Sequence, residues 1–278
     1  MIPQFTIDDV IKRAIQEDIN YVDVTTDYLL SDDAVTTANY VAKDSGVVAG
    51  VGIAVRVYEL LDSTVECEIL KQDGDAVQKG DIILTLKGKT KTLLKGERTS
   101  LNLIQHLSGI ATMTNKCVGL VEGTNATITD TRKTLPGLRA LQKYAVTVGG
   151  GRNHRYNLSD GAMLKDNHID AYGSMTNAVN ALRAKIGHMV KIEVETRNLD
   201  ELREALSAGA DVIMLDNMSR EEMREAVKIT AGRAKLEASG NITDENIRAV
   251  AETGVDIISL GALTHSVKAF DISMKIAL

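Results

Sequence analysis

Residues 190–261 read VKIEVETRNLDELREALSAGADVIMLDNMSREEMREAVKITAGRAKLEASGNITDENIRAVAETGVDIISLG. Four short runs in it, VKIEVET, DVIMLDN, AKLEASG and DIISLG, have strand character and close on a polar or small residue. Between them lie the helical patterns LDELREALSAG, SREEMREAVKI and TDENIRAVAETG, ending near a glycine as helix stops do. Toward the amino terminus the same alternation continues through ATITDT, from Ala126, and GAMLKD, from Gly161, with TNAVNALRAKIG as a further helix. Strand and helix alternating this regularly predict a parallel sheet, and the repeat predicts closure into an α/β barrel. A doubly wound open sheet is the competing arrangement.

Parity within the runs supports the barrel. Successive strand side chains point to opposite faces, so Lys191, Glu193 and Glu195 share one face, and Lys235, Glu237 and Ser239 share another. The outer wall must offer apolar contacts to helices, so these polar ladders are expected to point inward. A plainer reading has Lys191, Glu193, Lys235 and Glu237 neutralising one another inside the barrel.

Before about residue 107 the repeat is absent. TTANYVAKDSGVVAG, VECEIL and GDIILTL are strand-like, while GIAVRVYELL and LLKGERTSLNLIQHL are helical, which predicts an α+β domain over 1–107. The barrel is expected over 108–264. The last residues, 265–278, are expected to return to the first domain. FTIDDVIKRAIQEDI, with apolar residues at helical spacing and acids throughout, is no secretory or transit segment.

Composition excludes several functions. The 278 residues carry a formal net charge of −6, no Trp and 3% aromatics, so base stacking and nonspecific attraction to nucleic acid or anionic lipid are both disfavoured. Two cysteines, Cys67 and Cys117, are too few for a disulfide framework or a thiolate metal site. No apolar run is long enough to cross a bilayer, and the expected setting is cytoplasmic.

Against that acidic background, the segment between Arg132 and Lys165 places seven Lys or Arg residues against one acid, Asp160. Arg132 and Lys165 follow strand-like runs, the position that lines the active mouth of α/β barrels. Gly149, Gly150 and Gly151 offer a backbone that a ligand can approach closely or that can turn with positive φ. This is the composition of a small polyanion pocket. Ser239, Gly240 and Asn241 follow the fifth run and Gly261 the sixth, where barrels commonly bind phosphate. Glu195 and Asp216 end neighbouring runs and suit a sugar diol with a hard cation such as Mg²⁺, or simply a helix cap. No His/Cys spacing suggests zinc, and His106, His188 and His265 have no partner signal.

The segment Thr131 to Ile169, with GERTSLNLIQHLSGIAT from Gly96 and the later VET, LDN, ASGNI and SLGALTHS, resembles the quinolinate phosphoribosyltransferase family nearly end to end. The resemblance implies an amino-terminal α+β sandwich and an incomplete α/β barrel of about six to seven parallel strands. It also implies a homodimer with sites between subunits, and phosphoribosyl transfer to quinolinate with decarboxylation. Matching motif positions makes Arg132, His154, Arg155 and Lys165 the quinolinate set, with Arg98 lent by the neighbouring subunit. Lys133, Glu195, Asp216, Ser239, Gly240 and Gly261 match contacts to phosphoribosyl pyrophosphate, with Mg²⁺ at Glu195 and Asp216. Three rival readings stand beside it: Lys165 as a Schiff-base lysine, a non-enzymatic anion binder, and a relative associated with molybdenum transport that acts on another base.

Overall fold

The computed structural model describes residues 2–277. The chain divides into two compact units, one of Met1–Asn115, Thr134–Gly150 and Ala262–Leu278, the other of Lys116–Lys133 and Gly151–Gly261. The helix Thr90–Leu120 runs through residue 107 without a break.

In chain order the first unit holds α1 (Gln4–Asp18), α2 (Val24–Leu29), β1 (Val35–Ala42), β2 (Gly46–Val47), α3 (Val51–Leu61), β3 (Glu66–Ile69), β4 (Ala76–Val77), β5 (Ile82–Lys89) and most of α4 (Thr90–Leu120). A strand from the end of the chain, Ile272–Ala277, pairs antiparallel with β1, giving a four-stranded sheet in which β1, β5 and β3 follow in order. Alternation explains its single buried face: Ala38, Tyr40 and Ala42 on β1 and Leu84 and Leu86 on β5 are inaccessible to solvent. They join one core with Val51, Ala54 and Tyr58 of α3 and Leu101 and Ile104 of α4. Two buried phenols satisfy each other there, with Tyr40 Oη 2.7 Å from Tyr58 Oη.

The barrel region begins with β6 (Thr127–Thr129). Next comes α5 (Arg139–Val148), which belongs to the first unit. Then follow β7 (Ala162–Leu164), α6 (Asp166–Tyr172), α7 (Met175–Arg183), β8 (Ile192–Thr196), α8 (Leu199–Ser207), β9 (Val212–Asp216), α9 (Arg220–Thr230), β10 (Lys235–Ser239), α10 (Ile247–Ala251) and β11 (Ile257–Ser259). Finally, α11 (Ala262–His265) and β12 (Ile272–Ala277) belong to the first unit. The parallel sheet has the order β6, β11, β10, β9, β8, β7. Its first strand pairs with its last, as barrel closure requires, whereas a doubly wound sheet would place the first strand in the middle. On the other side of β6, Arg152 forms an isolated parallel bridge with Thr129. Arg155 then reaches from that segment to the start of β7, where Nη1 donates to the Gly161 carbonyl at 2.9 Å.

Ile192, Val194, Ile213, Leu215, Leu236 and Ala238 alternate along three strands and are buried. Their intervening neighbours therefore face the barrel interior. The helices start where their caps dictate. Asn198 accepts from the N–H groups of Asp200 and Glu201 at α8, and Ser219 with Glu222 forms a reciprocal capping box at α9. Among the described residues no helix is long and apolar enough to cross a membrane.

Candidate active site

The barrel interior opens at the carboxyl ends of its strands into a cavity of about 450 Å³. Arg132 and Lys133 reach it from the turn after β6, His154 and Arg155 from the segment bridged to β6, and Lys165 from the end of β7. Glu195 of β8, Asp216 of β9 and Ser239 of β10 complete the wall, with Thr131, Met163, Met214, Glu237 and Ser259 between them. Eight of the residues singled out in the sequence thus converge on one cavity, because parallel strands deliver all their carboxyl ends to the same rim. Gly240 and Gly261 follow β10 and β11 directly, while Arg98 lies exposed on α4 in the first unit.

Lys165 Nζ pairs with Glu195 Oε2 at 2.6 Å. Strand register explains the meeting, since Met163 lies opposite Glu193 and the next inward pair is Lys165 and Glu195. Asp216 lies opposite Ser239 across β9 and β10. Its Oδ2 accepts from Asn217 Nδ2 at 3.0 Å, and Asn217 Oδ1 accepts from Asn241 Nδ2 at 2.9 Å. Both asparagines are left-handed, with φ of 54° and 50°, a conformation that Asn tolerates better than most residues. Gly240 has φ 93°, and a Cβ there would collide with the Asn217 amide. The structure gives Gly240 this conformational reason. Asn217 was missed in the sequence, although LDN places an asparagine where a tight turn after a strand favours it.

Beneath the rim, His154 Nε2 lies 3.0 Å from Glu193 Oε2 and 3.4 Å from Glu237 Oε2. Burial opposes charge on the imidazole and the two carboxylates favour it, but the Arg155 N–H donates to Nδ1 at 2.8 Å and so holds the ring in its neutral Nε2–H form. Burial also pushes Glu193 upward, His154 opposing. Arg155 is pulled downward by burial and by the charge of Arg132, with Glu193 opposing, yet a guanidinium remains charged throughout.

Two expectations are corrected. Lys191 and Lys235 do not neutralise Glu193 and Glu237: both lysines are exposed, Lys235 pairs with Asp256 at 2.6 Å, and the glutamates turn to His154. Of the two uses expected for the glycine triplet, the positive-φ turn is found at Gly150, with φ 90°, while the close approach at Gly149 is to the Ala111 carbonyl, which a Cβ would strike, and not to a ligand. His106, given no role, is partnered within the first unit by Gln142 at 2.9 Å.

A barrel whose mouth joins basic side chains from three segments to two strand-end carboxylates is the site of a protein that binds a small polyanion. The comparisons narrow the class. The family profile described as quinolinate phosphoribosyl transferase, C-terminal domain, matches residues 110–275, and that of the N-terminal domain matches residues 23–108. The chain belongs to the quinolinate phosphoribosyl transferase family. It is 50% identical over 262 residues, 94% of this chain and 90% of the other, to the probable nicotinate-nucleotide pyrophosphorylase (carboxylating) of Bacillus subtilis. It is 44% identical to the corresponding Mycobacterium leprae protein, with 96% of each chain covered. The crystal structure of NadC from Streptococcus pyogenes superposes with a TM-score of 0.96 at 42% identity, covering 100% of this chain and 98% of that one.

Proposed function

We propose that the protein transfers the phosphoribosyl group of phosphoribosyl pyrophosphate to the ring nitrogen of quinolinate, giving nicotinate mononucleotide, pyrophosphate and CO₂. The observation that carries this is the convergence of Arg132, Lys133, Arg155 and Lys165 on a cavity that also holds Glu195 and Asp216. Two carboxylates and a pyrophosphate ester repel each other in one site unless cations are supplied. A unit-charge pair at about 4 Å is worth roughly 4 kcal/mol at an effective dielectric of 20, so several are needed. Arginines add planar bidentate contacts to carboxylate or phosphate, which a lysine does not reproduce.

In this reading Arg132, Arg155 and Lys165 hold the quinolinate carboxylates, and Lys133, Ser239 and the turns at Gly240 and Gly261 receive the phosphates. The ring nitrogen attacks the anomeric carbon as the bond to pyrophosphate breaks. The resulting pyridinium accepts the electron pair released when the carboxylate next to nitrogen leaves as CO₂, and that carbon then takes a proton. Positioning and preorganised charge supply the rate, with no covalent enzyme intermediate. Glu195 and Asp216 offer the hard oxygens that Mg²⁺ prefers, Glu195 once released by Lys165. When bound with the substrate, the ion would neutralise departing pyrophosphate.

We further propose that the working assembly is a homodimer in which Arg98 of one copy completes the other copy's site. Arg98 is exposed on α4, and Phe5, Val24, Tyr28 and Leu29 on α1 and α2, with Tyr21 between the two helices, present apolar side chains to solvent, as a surface awaiting a partner would. The Schiff-base reading fares worse, because Lys165 stands in an ion pair and not as a desolvated amine. The deciding assay incubates purified protein with quinolinate, phosphoribosyl pyrophosphate and Mg²⁺. Nicotinate mononucleotide with one pyrophosphate and one CO₂ each is expected; turnover of another base in preference to quinolinate would overturn the assignment.

A further inference from the structure

We propose that Glu193 and Glu237 are positioning residues for the base-binding half of the pocket: from β8 and β10 their carboxylates grip the Nε2 edge of His154 and so fix the backbone that presents Arg155. The inference rests on the phosphoribosyl-transfer reading above and assigns a role to two residues which that reading leaves idle.

Both glutamates are buried, at 7% and 1% exposure, and each leaves its Oε1 without a hydrogen-bond partner among the described residues. Burying two carboxylates this way is unfavourable, and apolar residues of similar volume would fill a barrel interior at no such cost. Their geometry points to what they do instead. Each Oε2 is within reach of the same imidazole nitrogen, and two further contacts of His154 lead toward the pocket wall. The His154 N–H donates to Asp130 Oδ1 at 2.9 Å, and the Arg155 N–H donates to His154 Nδ1 at 2.8 Å. The ring therefore has its Nε2 edge held by the two strands and its Nδ1 edge held by the residue that carries the guanidinium. Arg155 is in turn tied to β7 through the Gly161 carbonyl and the Met163 sulfur.

One histidine and two glutamates with ligating atoms all within 4.8 Å of one another also resemble a divalent-cation site. The ring contacts argue against it. A metal-bound imidazole gives its lone pair at one nitrogen and donates a proton from the other, normally to an acceptor. Here the other nitrogen, Nδ1, faces a donor, so the proton belongs on Nε2 and the carboxylates close on an N–H. Both ring nitrogens are then engaged within the protein. His154 contributes shape and a fixed backbone to the pocket, while Arg132, Arg155 and Lys165 contact the carboxylates of the base.

The test compares Glu193→Gln and Glu237→Gln with the alanine variants, measuring the KM for quinolinate and for phosphoribosyl pyrophosphate separately, with circular dichroism as a check of folding. Each Gln variant should raise the quinolinate KM on the order of ten-fold and leave the other KM within about two-fold, with Ala worse than Gln. Equal shifts in both constants, or none in a folded variant, would overturn the clamp. Long-range ¹H–¹⁵N spectra of wild-type imidazoles, with His154 assigned by its loss in His154→Gln, read the geometry without catalysis. A protonated Nε2 with a bare Nδ1 is expected. A bare Nε2, or stoichiometric metal by elemental analysis, sinks the proposal. A wild type inactive with quinolinate would refute the functional reading alone, since the Nε2–H signature and its perturbation in the Gln variants still decide the clamp.

Discussion

Asn217 uses both ends of its amide, donating to Asp216 and accepting from Asn241, while its backbone stays left-handed. These two properties separate by mutation. Asn217→Gly keeps the backbone unstrained and removes the amide, so it should raise the requirement for phosphoribosyl pyrophosphate with little change in melting temperature. Asn217→Ala should do the same and also lower stability by about 1 kcal/mol, because Ala lacks the polar side chain that lets Asn tolerate left-handed backbone. Lys165→Ala should abolish most quinolinate turnover while circular dichroism stays native; near-normal activity would contradict its assignment. The cationic cluster was legible residue by residue, since charge types are visible in a string. The His154 group was not: Glu193 and Glu237 looked like partners of the lysines two places before them, and only the contact of both carboxylates with His154 reassigned them.

At the scale of elements, the repeat of strand and helix is legible because periodicity is local: Ile192, Val194, Ile213 and Leu215 alternate toward the helices, and Ser219 with Glu222 announces α9. Ser219→Ala should cost about 1 kcal/mol, read as a lower denaturation midpoint with unchanged activity. Close approaches between elements are a different matter. Gly149 reads as a loop glycine, yet it is buried against the Ala111 carbonyl of α4, and Gly109 meets the Lys268 carbonyl in the same way. Gly149→Ala should cost about 1–3 kcal/mol through overpacking, measured as a fall in melting temperature with the quinolinate KM unchanged. A ligand role would move KM first. Nothing in a one-dimensional pattern says which backbone will press on a glycine.

At the scale of the whole molecule, the pairing of β6 with β11 settles barrel against open sheet, and β12 beside β1 joins the two ends of the chain in one sheet. The proposed shared site is tested here. Arg98→Ala and Lys165→Ala proteins, each inactive, should regain activity after subunit exchange, to about a quarter of wild-type sites if copies mix at random in dimers. Exchange without recovery would count against a site built from two copies. By itself the sequence determined the element types, the inward polar ladders and the sign of the pocket's charge, because backbone propensity, side-chain alternation and ionisation are properties of neighbours along the chain. Only the tertiary structure decided that Thr134–Gly150 joins the amino-terminal unit, that Asn217 steadies Asp216, and that one imidazole meets carboxylates from β8 and β10. Those outcomes depend on strand register and on which surfaces exclude water together, quantities that exist only once distant segments have packed.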